Sequence, residues 1–168
     1  MIRVAVDYYA LSPKRHARLP KCPRMETSEK IPVQWAEIKS CLKEMERWTK
    51  RKTYHIYFCA GEMAAAFSEM LDVIYSRLSG SDPGEVIRIM AHCVDWYYRT
   101  FEQIIDGSDG VWIFPVARMG RIVDELLGRN PVHPAWDEFN RIAEAAGLWY
   151  GYGQLGAEGV AAWKSTCL

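Results

Sequence analysis

Between Glu62 and Ile105 the apolar residues recur at every third or fourth position, and the pattern breaks once, at Gly80-Ser81-Asp82-Pro83. That period belongs to α-helices with one buried face, and two of them in tandem exclude an all-β chain. In the first, Met63, Phe67, Met70, Leu71, Ile74 and Leu78 line one face, Ala64 to Ala66 let a neighbour approach closely, and Gly80 is placed to end the helix. The second opens on Asp82, Pro83 and Glu85 at the N-cap, N1 and N3 positions, an arrangement that satisfies two orphan amides reciprocally. Its apolar side takes Val86, Ile89, Met90, Cys93, Val94, Tyr97, Phe101, Ile104 and Ile105, widened by Trp96 and Tyr98. Such breadth predicts a central helix covered on more than one flank.

Three weaker helices flank this pair. Trp35, Ile38, Leu42 and Met45 give one stripe from near Pro32 to about Thr49. Val116, Met119, Ile122, Val123 and Leu126 give a second, ending by Gly128. Trp136, Phe139, Ile142, Ala143 and Ala146 give a third, closed by Gly147. Residues 2–9, IRVAVDYY, read as a short strand, whereas 53–59 and 111–114 are too short for periodicity to choose between strand and helix. A chain of 168 residues that is 49% apolar fits one domain with a sizeable core. The expectation is therefore mainly α: a single-domain bundle of about five helices with short peripheral strands, an α+β arrangement being the variant left open. Residues 148–168, rich in Gly and aromatics, are expected to form a tail packed on that core.

Lys+Arg and Asp+Glu both number 21, so the formal charge is 0 and a strongly basic coat protein is excluded. The best apolar run, Tyr54–Ala60, lies between Lys52 and Glu62 and is far short of a membrane span. The first residues lack the basic-then-apolar order of a secretion signal, which gives a cytoplasmic location as the expectation. The five cysteines, Cys22, Cys41, Cys59, Cys93 and Cys167, are odd in number without paired spacing and read as reduced, mostly buried thiols.

Neutrality conceals a dipole. Residues 1–59 carry 13 Lys/Arg against 6 Asp/Glu, a difference of +7, and residues 60–168 carry 8 against 15, a difference of −7. The positive charge gathers at Lys14, Arg15, Arg18, Lys21 and Arg24, then at Lys50, Arg51 and Lys52. The first cluster lies in residues 10–32, where Pro13, Pro20, Pro23 and Pro32 resist regular structure. This long basic loop is expected to be ordered by docking on the acidic part of its own chain, on a sister subunit or on a polyanion.

Catalytic signals are sparse. Four histidines and unpaired cysteines give no metal-ligand spacing, so no cofactor is expected. Glu69 and Asp72 lie three apart on one predicted helix, and His92 and Asp95 three apart on the next. Carboxylates facing one another across helices can hold Mg or Mn and activate water against a phosphate ester. The Glu69-Met-Leu-Asp72 run resembles the second acidic motif of the all-α nucleotide pyrophosphohydrolases, over less than a tenth of the chain. Their upstream pair of glutamates at spacing three is not matched, since Cys41 and Glu44 stand nearest to it. Phosphate-loop, nucleophile-elbow and dinucleotide fingerprints are missing. Trp96, Tyr97 and Tyr98 sweep about 200° around one helix, which assigns at least one of them, Trp96 or Tyr98, to a second interface. The leading expectation is a non-enzymatic macromolecular interaction protein, as an oligomeric component, adaptor or inhibitor with a protein partner or a second copy. One alternative is a metal-dependent all-α phosphohydrolase of a nucleotide-like substrate, using Glu69, Asp72, His92 and Asp95. Another is a nucleic-acid-binding protein using the eight basic residues named above.

Overall fold

A computed structural model describes residues 25–51, 53–101 and 114–145. These form five α-helices: α1 (Trp35–Arg51), α2 (Thr53–Ser76), α3 (Pro83–Phe101), α4 (Phe114–Arg129) and α5 (Ala135–Ala145). The mainly-α expectation holds, and no strand occurs among the described residues. The undecided stretch 53–59 is the start of α2. Its β-branched and aromatic residues favour strands only weakly. They abut a strongly patterned helix, and extending a formed helix is far easier than nucleating one. The strand expected at 2–9 and the tail 148–168 lie outside the described residues, as do residues 111–113 of the other undecided stretch.

The middle helix is α3. It packs against α5, α1 and α4, while α2 packs against α4 and α1. Their shared core takes Ile38 and Met45 from α1, Phe67, Met70 and Ile74 from α2, Ile87, Met90 and Val94 from α3, and Met119 from α4. Trp136 and Phe139 of α5 close it with their rings edge to face, centroids 5.3 Å apart. Each such side chain contributes roughly 1.5–3 kcal/mol on leaving water.

Local chemistry sets the helix ends. Asp82 Oδ2 accepts the Glu85 N–H at 2.8 Å, the N-cap bond expected of this sequence. The end of α2 differs from expectation. The α-helix stops at Ser76, and a 3-10 turn, Leu78–Gly80, follows. The Arg77 N–H is shared between the carbonyls of Val73 and Ile74 at 3.2 Å each, so the last turn tightens before Gly80 is reached. Gly80 closes that 3-10 turn instead of capping an α-helix.

Two close approaches converge on this α2–α3 corner. The Glu29 carbonyl oxygen stands 3.0 Å from where a Cβ on Gly80 would be. A Cβ on Gly84 would overlap the His133 ring, which reaches over from the α4–α5 loop. That loop is drawn tight by Asn130, whose carbonyl accepts the Trp136 indole N–H at 2.8 Å.

Candidate functional site

Residues 25–34 precede α1 as an irregular strap laid over the α2–α3 corner. Arg77 holds it there. The Arg77 side chain is 3% exposed, and its Nε donates to the Glu26 carbonyl at 3.0 Å. Nη2 donates to the same carbonyl, and Nη1 donates to Glu37 Oε2 of α1 at 2.7 Å. A planar guanidinium can serve both acceptors at once, whereas an ammonium on a flexible stem cannot reproduce the fork. Glu37 supplies the opposite charge that a buried cation requires.

Ser81 makes the second anchor. Its hydroxyl accepts the Val33 N–H at 2.7 Å and donates to the Arg77 carbonyl at 2.7 Å. Met25 packs on the core and Val33 is buried, so the strap is fixed at both ends by apolar contact as well. A turn between them, Ile31 N–H to the Ser28 carbonyl at 3.2 Å, takes up the slack. Part of the proline-bearing segment 10–32 is thus docked on its own chain. The docking groups are Arg77 and Ser81 of the bundle with the Glu26 carbonyl and the Val33 N–H of the strap, not basic side chains on acidic ones.

The four residues of the hydrolase alternative point to different neighbours. Glu69 is exposed on α2, and Asp72 pairs with Arg118 of α4 at 3.0 Å. His92 of α3 stacks on Trp35 of α1, with ring centroids 4.7 Å apart and the Lys39 ammonium 5.9 Å from the Trp35 ring. Asp95 pairs with Arg99 one turn along the same helix at 2.7 Å. Among the described residues, no group of three or more His, Cys, Asp or Glu is placed to share a metal ion. The basic residues Lys14, Arg15, Arg18, Lys21 and Arg24 lie outside the described residues, as do the side chains of Lys50, Arg51 and Lys52.

The two aromatics expected at an interface part company. Trp96 is 4% exposed and packs on Phe67, centroids 4.9 Å apart, so it belongs to the interior of this chain. Among the described residues its buried indole N–H meets no acceptor. The expectation failed for Trp96 because α3 is covered from three sides, which leaves room inside for two successive rings, Trp96 and Tyr97. Tyr98 stays half-buried, edge-on to Tyr97 at 5.1 Å, and burial pushes its phenol up to about 12.

The cysteines also correct the sequence reading. Cys93 is a free, fully buried thiol that burial pushes up to about 12, so it is held neutral and unreactive. Cys41 is buried and disulfide-bonded rather than reduced.

Sequence reasoning passed over Arg77, Ser81 and Glu37. A signal for Arg77 exists: it continues the row Met63, Phe67, Met70 and Ile74, so a charge stands in an apolar register. Ser81 and Glu37 carry none, because the strap amide that Ser81 accepts and the arginine that Glu37 pairs with stand 48 and 40 residues away. No helix among the described residues is long and apolar enough to cross a membrane. No protein-family model, curated protein or solved structure matches this chain.

Proposed function

We propose that this chain is a non-enzymatic interaction protein that engages an acidic protein surface through its basic N-terminal segment. A second copy of the chain is the nearest such surface. The carrying observation is the strap: Met25 and Glu26 are fixed on the bundle, and the cluster Lys14 to Arg24 adjoins Met25 directly in sequence. A cluster of five cations therefore starts from a set point on a folded body. The complementary surface is intrinsic, since residues 60–168 carry 15 Asp/Glu against 8 Lys/Arg. Opposed charge of this kind steers association and makes it sensitive to salt.

Sedimentation velocity of the full chain between about 1 and 100 µM, at roughly 50 mM and 500 mM salt, is the test. Binding to a labelled poly-L-glutamate, as a probe acidic polypeptide, runs in parallel. Self-association or poly-glutamate binding that weakens at high salt is the expected result. A chain that stays monomeric and ignores poly-glutamate at low salt overturns the reading. Tight binding of a duplex oligonucleotide without either of those effects replaces it with nucleic-acid recognition.

A further inference from the structure

We infer that the α2–α3 corner under the strap is a peptide-docking site, filled in cis by residues 25–34 and open to an irregular segment of a partner protein. It goes beyond the interaction reading above and uses none of the basic segment. The bonds from bundle to strap end on strap backbone: Arg77 Nε and Nη2 on the Glu26 carbonyl, and the Ser81 hydroxyl on the Val33 N–H. The floor between them is bare where Gly80 meets the Glu29 carbonyl. Main-chain bonds of this kind supply affinity without reading sequence, and selection falls to side chains seated in apolar sockets. Here those lie at the two ends. Met25 packs on the core and Val33 is buried, while Glu26, Thr27, Glu29 and Lys30 between them are exposed.

Arg77 gives the corner its demand for an occupant. Its side chain is 3% exposed, and of its two acceptors Glu37 belongs to α1 whereas the Glu26 carbonyl belongs to the strap. When the strap lifts, Nε and Nη2 lose their acceptor, and a buried charged donor without one is costly. Another backbone carbonyl restores the fork. The open corner therefore favours a segment that brings a carbonyl to Arg77 and an N–H to Ser81, between two apolar side chains at the strap's spacing. A strap held at its ends and exposed along its middle is a unit that opens locally. Its competition lowers the apparent affinity for a partner segment by the fraction of open chains, about tenfold for a strap closed nine-tenths of the time.

The probe is a fluorescein-labelled peptide of residues 25–34, titrated against full chains by fluorescence anisotropy. Wild type is compared with Met25→Ser and with Met25→Ser plus Val33→Ser, which weaken the apolar ends of the strap and leave Arg77, Gly80 and Ser81 untouched. Met25 is only partly buried, so its single variant folds even if the double variant does not. Hydrogen exchange of the residue 33 amide reports release of the strap. The expected result is a faster-exchanging amide and peptide binding at least about tenfold tighter than in wild type. Adding Arg77→Lys to Met25→Ser keeps the charge, loses the fork and abolishes the binding. A peptide N-methylated at the Val33 amide offers Ser81 no N–H and binds about tenfold more weakly. A released chain that binds no peptide overturns the inference, as does binding that ignores both Arg77→Lys and the N-methyl group. Equal affinity in wild type and released chains overturns it too, and so does an amide that stays protected in both variants. Dimerisation of the released chains without peptide uptake gives the corner to a second copy instead. None of these outcomes depends on poly-L-glutamate binding, so failure here and failure of the interaction reading are distinguishable.

Discussion

A buried charge is tolerated only where the surrounding groups replace the water it has lost, and two residues here solve that problem in opposite ways. The Arg77 guanidinium has its donors taken up by Glu37 and the Glu26 carbonyl. Cys93 stays neutral, because burial among α3's neighbours raises its thiol from the ordinary 9.0 to about 12. The second case has a consequence for stability. Below pH 9 the thiol is protonated in folded and unfolded chains alike. Above it the unfolded chain loses a proton that the folded chain retains, so stability falls as pH rises from about 9 towards 12. The slope for one such group reaches about 1.4 kcal/mol per pH unit. Tyr98, raised from 10.0 to about 12, adds to the upper part of that window. Urea midpoints measured from pH 8 upward should therefore decline along an alkaline limb, and Cys93→Ala should flatten it. A variant whose midpoints fall as steeply as wild type would show that another group sets the limb. The sequence placed Cys93 on an apolar face but could not say how completely the packed core would enclose it.

At the scale of elements, what was legible followed from local chemistry and what was not followed from distant contacts. The α3 start was written in Asp82-Pro83-Gly84-Glu85, and the observed bond from the Glu85 N–H to Asp82 uses the residue the sequence nominated. Asp82→Ala should cost about 1 kcal/mol in a urea titration, within the usual range for a lost N-cap. Asp82→Asn should cost less, since its amide oxygen can still accept. A loss near zero for the alanine variant would mean that His133, seated over Gly84, already secures this end. The α2 end was misjudged because Gly80 looks like a stop signal, while the actual stop at Ser76 coincides with Arg77 turning inward. The same limit hid the strap. Pro32 and the charges before it announce an irregular segment, but nothing local says that Glu26 will meet a residue 51 positions away. The hydrolase set failed to converge for a related reason: spacing places Asp72 and His92 on helices, whereas packing turns them toward Arg118 and Trp35.

For the whole molecule, the division of charge and the position of the strap make one proteolytic prediction. Residues 10–32 contain six trypsin sites, Lys14, Arg15, Arg18, Lys21, Arg24 and Lys30, of which only Lys30 lies in the docked strap. Lys30 has an exposed side chain, but its backbone sits in the turn where Ile31 bonds to the Ser28 carbonyl, between the anchors at Arg77 and Ser81. A protease needs several residues of extended, mobile backbone in its cleft, so anchoring matters more than side-chain exposure. In dilute monomer, cleavage after Lys14 to Arg24 should precede cleavage after Lys30. Under conditions of self-association or saturating poly-L-glutamate, the first five sites should slow while Lys30 is little changed, because the partner covers the cluster and the bundle already covers the strap. Lys30 cut as early as Lys21 in the monomer would show that the anchors do not restrain the strap. Equal cleavage of the first five sites in free and associated chain would place the interaction elsewhere on the surface. The acidic faces of the described helices would then be the surface to map: Glu62, Glu69, Asp124 and Asp137 stand exposed on α2, α4 and α5.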